Sequence, residues 1–300
     1  MRLTVLSPEA QPWRNRALHP FGVFRSLASS FLRADPGMAM DLLFRPGRDI
    51  FLIGTIQNRG KTIMGYKIVD LSQELYTGVP VWIGHPPTEV TVVATHEQTR
   101  TSGRFTENYS YTSEKISMCT HGTTHVDSIS HIDPTPGAPS IEKIPLDWFY
   151  TEAICLNLTH VPPKSYYTVE MIQAALAKDG LEVKKGDTVL LYSGHYGRTF
   201  PTPAYLTDYS GLSLEAAEYL YGAGGAINIG QDAPSHDCAL TTSYPAHQVC
   251  RRLQRLNTEN LGDLSPVAGK RFRFIGFPLK IRDGSGSPIR AVAVVEDDAP

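Results

Sequence analysis

The chain has 300 residues, 28 Lys and Arg against 30 Asp and Glu, and 41% hydrophobic residues, which suits one large globular domain or two small ones. A net charge of −2 gives no electrostatic footprint for nucleic acid or an anionic membrane, and no stretch reaches the ~18 continuous apolar residues of a membrane span. Cys119, Cys155, Cys238 and Cys250 are scattered and form no CxxC pair, so free, buried thiols are expected in place of a zinc ribbon or disulfide framework.

Residues 1–63 are rich in arginine (Arg14, Arg16, Arg25, Arg33, Arg45, Arg48, Arg59), are interrupted by Pro12, Pro20, Pro36 and Pro46, and keep no steady apolar period. They are read as an N-terminal extension, either a disordered tail or the product of a misassigned start upstream of Met64. Glu9, Asp35, Asp41 and Asp49 weigh against a transit peptide. Residues 64–300 then form the functional domain. Its expected strands cover residues 67–70, 90–96, 188–192, 226–229, 272–277 and 291–295. One helix follows Thr168 as N-cap, with Val169, Ile172 and Leu176 at helical spacing. A second follows Ser213, with Glu215 at the positive end of its dipole. A third is expected from about Pro245 through Leu256. The class is therefore mixed α/β.

Between the second and third expected strands lies HGTTHVDSISH, which places His121, His125, Asp127 and His131 within eleven residues of a chain with ten histidines. Imidazole and carboxylate together are ligands for Zn, Mn or Fe. Every separation in the set is even, so an extended segment puts all four side chains on one face, whereas a helix would turn Asp127 away. Thr123, Thr124, Val126 and Ile129 also favour an extended or irregular segment. The alternative is a polar surface stretch with solvated histidines. Metal sites usually complete themselves from distant sequence, and SYPAHQVCRRLQRLNTENL offers His247 and Glu259. Taken alone, they read rather as a surface helix histidine and a solvated glutamate.

These blocks resemble the metal-dependent cyclase family that includes bacterial kynurenine formamidase and isatin hydrolase. The family's His-x-Gly-Thr-His-x-Asp-x-x-x-His motif falls on His121, Thr123, Thr124, His125, Asp127 and His131, with Thr123 where the family has glycine. Its later His and Glu fall on His247 and Glu259. Its Pro-Val-Trp segment falls on Pro80, Val81 and Trp82, followed by Gly84, with His85 in place of the usual acid. Its Gly-x-Asp-x-x-Ser-x-Asp stretch falls on Gly230, Asp232, Ser235 and Asp237, and its closing strand on residues 286–295. The likeness spans roughly residues 64–297.

The resemblance implies a swivelling β/β/α domain with a barrel-like mixed sheet, and a homodimer or higher homo-oligomer in the cytoplasm. It implies one divalent ion held by His121, His125, Asp127 and Glu259, and a second held by Asp127, His247 and Glu259. Single-metal relatives leave one or two Zn or Mn ions open. It makes His131 the general acid/base and Trp82 a substrate-stacking residue. The expected activity is hydrolysis of a C–N amide bond in a small aromatic molecule, an N-formyl aryl amine or a cyclic amide such as isatin. Such a cation polarises the carbonyl and brings the pKa of water toward neutrality, and a histidine protonates the departing nitrogen. A cyclase or dehydratase that uses the metal to stabilise an enolate, and a non-catalytic metal-bound binding protein, are the alternatives. Ser193 beside His195 lacks a third group for a triad. Phe105, Tyr109 and Tyr111 fit pocket or core equally, and residues 192–210 are the expected specificity loop.

Overall fold

The computed structural model describes residues 65–104 and 109–296; the expected extension over 1–63 and Phe105 lie outside them. In chain order come β1 (Tyr66–Asp70), β2 (Glu89–Ala94), α1 (His96–Thr101), β3 (Ser113–Ser117), β4 (His125–Asp127) and α2 (Ile129–Ile132). They are followed by β5 (Tyr150–Asn157), β6 (Tyr166–Tyr167), α3 (Val169–Asp179), β7 (Thr188–Tyr192), α4 (His195–Thr199) and β8 (Gly211–Leu212). Then come α5 (Leu214–Ala217), which continues as a π-helical turn, β9 (Asn228–Gln231), α6 (Pro245–Leu253), β10 (Leu256–Glu259), β11 (Arg271–Ile275), β12 (Gly286–Pro288) and β13 (Val292–Glu296).

Nine strands make one curled sheet in the order β1-β13-β11-β5-β7-β9-β10-β4-β12, so the barrel-like mixed sheet expected from the resemblance is present. The β5-β7-β9-β10 centre is parallel and both flanks are antiparallel. On β5, Ile154 and Leu156 join the cluster packed on α3, α5 and α6, while Ala153 and Cys155 join the cluster with Phe149, Phe272 and Phe274 on the other face. A strand buried on both faces shows no alternation of polar and apolar residues, which is why sequence reading passes over it. The helix-side face carries Ile154 and Leu156 of β5, Val189 and Leu191 of β7 and Ile229 of β9. It turns polar over β10 and β4, and that change of lining places the site. No helix among the described residues is long and apolar enough to cross a membrane. All four cysteines are free.

The caps behave as their chemistry requires. Thr168 accepts from the Met171 N–H and Gly180 ends α3 at φ 62°; Ser213 accepts from the Ala216 N–H. Two expectations are corrected. The third helix stops at Leu253 because Gln254 adopts φ 54°, and Leu256–Glu259 is a strand, not the helix's last turn and tail. HGTTHVDSISH is extended only over His125–Asp127; His121 sits in a turn and His131 on the short helix α2.

Candidate metal centre

The site is built on a register. His125 and Asp127 point to one face of β4 and Val126 to the other, where it joins the core. Glu259 pairs with His125 and Asn257 with Asp127 across the β10–β4 ladder, so four polar side chains meet on one face. On the other side of β4, Gly286 pairs with Asp127. A Cβ there would stand 2.6 Å from the His121 ring and 3.0 Å from the Val126 carbonyl oxygen, so only glycine lets β12 lie against His121.

His247 arrives from the first turn of α6. Asp237 caps that turn, accepting from the N–H groups of Ala246 at 2.7 Å and His247 at 3.1 Å. Its Oδ2 also accepts from His247 Nδ1 at 2.6 Å. Asp237 is held below the usual carboxylate range by His247 and His236 against the effect of burial, so Nδ1 carries a hydrogen and Nε2 is the nitrogen turned to the cluster, where a metal would displace a proton. His125 is fixed the same way. Its Nδ1 donates to the Thr123 carbonyl at 2.6 Å, and its buried Nε2 has no hydrogen-bond partner. That Nε2 lies 3.3 Å from Asp127 Oδ1 and 3.5 Å from Glu259 Oε2; His247 Nε2 lies 3.5 Å from Glu259 Oε1 and 3.8 Å from Asp127 Oδ2. His121 sets Nδ1 2.7 Å from Asp127 Oδ1 and Nε2 2.9 Å from the Ser285 hydroxyl, and Cys119 Sγ accepts its N–H.

Lone pairs and carboxylate oxygens thus converge, and among the described residues the ion pairs of Asp127 and Glu259 are with histidine only. Acceptors that face one another need a cation between them. Ligands at ~2.0–2.2 Å around a tetrahedral ion lie roughly 3.3–3.6 Å apart, close to the spacings seen, so the donor set fits a divalent metal. Its field is strongly negative. Burial opposes protonation of His247, but Asp127, Asp237 and Glu259 outweigh it and push the ring up to about 10. Burial would raise the Asp127 carboxyl, yet His121, His125 and His131 hold it well below its ordinary range. A metal competes with protons for these same lone pairs.

His131 faces the cluster from α2, its ring 4.2 Å from that of His121 and its Nε2 4.0 Å from Asp127 Oδ2, with 33% of the side chain exposed. Burial lowers its pKa and Asp127 partly restores it. A cavity of about 390 Å³ opens above, lined by Trp82, His85, His121, His131, Ile132, Tyr244, His247, Arg251 and Glu259 among others. Trp82 is half-buried, its ring 6.3 Å from that of Tyr209. Tyr109 and Tyr111 are exposed and not in that lining. Ser193 Oγ donates to Asp232 at 2.6 Å, while the His195 ring bonds the Tyr205 carbonyl, so His195 is not paired with that serine. Sequence reading gave Asp237 only a place in a family stretch, held His195 and His236 only as fallbacks to His131, and passed over Asn257; His236 is a fully buried ring with Nδ1 3.8 Å from Glu259 Oε1. The adjacency of His236 to the motif aspartate was the available signal.

Residues 69–238 match the profile of a family described as putative cyclase. The chain is similar to kynurenine formamidase of Erythrobacter litoralis, 27% identical over 227 residues that cover 75% of this chain and 93% of the relative. It is similar to isatin hydrolase of Roseibium aggregatum, 29% identical over 151 residues that cover 47% of this chain and 57% of the relative. The solved isatin hydrolase A of Labrenzia aggregata shares the fold, with a TM-score of 0.68 at 21% identity over 77% of this chain and 94% of that one.

Proposed function

The chain belongs to the putative cyclase family, and on that footing we propose that it is a metal-dependent hydrolase cleaving the C–N amide bond of a small aromatic molecule. N-formyl aryl amines and cyclic amides such as isatin are the substrate classes. The observation that carries the reading is the cluster of His121, His125, Asp127, His247 and Glu259, imidazole nitrogens and carboxylate oxygens turned toward one another at the floor of a cavity with an aromatic rim. Relatives named kynurenine formamidase and isatin hydrolase support it. A zinc or manganese ion in the cluster supplies Lewis acidity, polarising the carbonyl and lowering the pKa of water toward neutrality.

The chain's own residues do the rest. Trp82 offers a flat face for an aryl ring at the cavity rim. His131 stands beside the cluster, open to the cavity and with its pKa lowered, so its Nε2 accepts a proton from the attacking water and returns it to the leaving nitrogen. Asp237 keeps His247 in the tautomer whose Nε2 faces the cluster. The partial exposure of His131 disfavours a merely structural metal site. The same reading takes the working protein to be a cytoplasmic homo-oligomer.

Purified full-length protein tests this. It should carry stoichiometric divalent metal, hydrolyse N-formylkynurenine, isatin or simple lactams, and lose that activity to chelator with recovery on adding Zn or Mn. Activity that survives in chelated, metal-free protein overturns the proposal; dehydration without amide cleavage moves it to the cyclase alternative.

A further inference from the structure

Asp127 and Glu259 divide their oxygens between two half-sites. Asp127 Oδ1 and Glu259 Oε2 face His125 Nε2, and Asp127 Oδ2 and Glu259 Oε1 face His247 Nε2. The halves are not equivalent. In the first, His125 Nε2 is buried and without a hydrogen-bond partner. In the second stands the carboxamide of Asn257. Its Nδ2 lies 2.8 Å from Glu259 Oε1, 3.1 Å from Asp127 Oδ2 and 3.4 Å from His247 Nε2, the three atoms on which a second cation would be centred.

The backbone puts Asn257 there. It pairs with Asp127 across the ladder, and it shares a strand face with Glu259 two residues on. Charge sets the amide's direction. The NH2 group has two hydrogens for two carboxylate oxygens, whereas a flipped amide would set its carbonyl oxygen against both. The carbonyl oxygen is left buried without a donor, so the N–H contacts are what hold the group.

We infer that Asn257 takes the place of a second cation, so that this chain holds one divalent ion, in the half formed by His121, His125, Asp127 and Glu259. The inference rests on the proposed metal centre and is independent of the substrate. Two N–H donors tie Asp127 Oδ2 to Glu259 Oε1, as a bridging ion would, but with a neutral side chain that cannot be stripped away by chelator.

The test is a stoichiometry. Full-length protein is stripped with chelator, then titrated with zinc and separately with manganese, and bound metal per chain is read by calorimetry and elemental analysis. The native chain should take up one ion. Asn257→Ala, which empties the second half, and the isosteric Asn257→Asp, which adds a carboxylate there, should each take up two. Circular dichroism confirms that each variant is folded, and either folded variant decides the question. Two ions in the native chain, or one in folded variants, overturns the inference while leaving the metal centre standing. Fewer ions in the variants than in the native chain also overturns it, because the amide would then be a ligand through its oxygen. A native chain that binds no metal overturns the metal centre itself and the inference with it.

Discussion

Asp127 on β4 and Asp232 just after β9 are both buried carboxyls, 3% and 0% exposed, and they are held in opposite ways. Asp127 faces imidazoles, and His121, His125 and His131 keep it well below the ordinary carboxylate range despite burial. Asp232 is hydrogen-bonded by neutral donors, with the Arg198 charge a lesser pull. Its Oδ1 accepts from the Ser193 N–H at 2.9 Å and hydroxyl at 2.6 Å, and its Oδ2 has no partner. Burial prevails there, and the carboxyl is pushed up to about 6 against the pull of Ser193 and Gly194. Hydrogen bonds from neutral groups soften the cost of burying an anion, whereas groups that can carry positive charge reverse it. One acid is set to hold a cation; the other anchors the loop that opens α4.

The comparison breaks most severely at His125. His125→Ala removes a ring that holds Asp127 ionised, and the variant should lose both its metal and its turnover, measured as metal per chain beside rate; a variant that keeps both would show that His125 is no ligand. His131→Ala sharpens the contrast, since His131 faces Asp127 only at 4.0 Å. It should keep its metal and lose ~10²–10⁴-fold in turnover, and metal loss would instead make His131 a ligand. Asp237→Asn weakens the orientation of His247, which stands in the half that Asn257 fills, so it should lower affinity for the single ion by less than the ~10-fold that follows loss of a ligand's own partner, read by titration with competing chelator.

The smallest effect belongs to Asp232. Its folded carboxyl, at about 6, lies above the ~3.9 of an unfolded aspartate, so the native state binds the extra proton. Its contribution to stability is greatest below about pH 4, falls as pH rises to about 6 and is constant above. Asp232→Asn removes that fall. The variant's stability relative to the parent, from urea midpoints, should rise by no more than about 3 kcal/mol between pH 4 and pH 7. A flat difference would mean that Asp232 is ionised throughout.

The metal cluster was legible because His121, His125, Asp127 and His131 lie close in sequence with ligand chemistry and even spacing. His247 and Glu259 gained weight only through the family's spacing. What stayed hidden has physical causes. The Tyr150–Asn157 strand is buried on both faces and shows no period. Leu256–Glu259 follows a helix at once and turns Asn257 and Glu259 inward, so its inward polar residues mimic an exposed segment. The Ser193–Asp232 anchor joins residues 39 apart with no local pattern.

The three residues of β4 have a consequence for how the protein comes into being. Their two neighbours in the sheet, β10 and β12, lie far toward the C-terminus, with Asp127 and Asn257 130 residues apart in sequence. On the ribosome, His125 and Asp127 emerge long before Glu259 or Gly286 exists to flank them. Closing so long a loop is entropically costly until the late strands add their contacts. β5, β7 and β9 can pair before that, whereas the ligand strand waits for β10 and β12. The metal site is therefore complete only once β10 has been made, and a chain interrupted before β10 leaves the ribosome with its histidines but without a site.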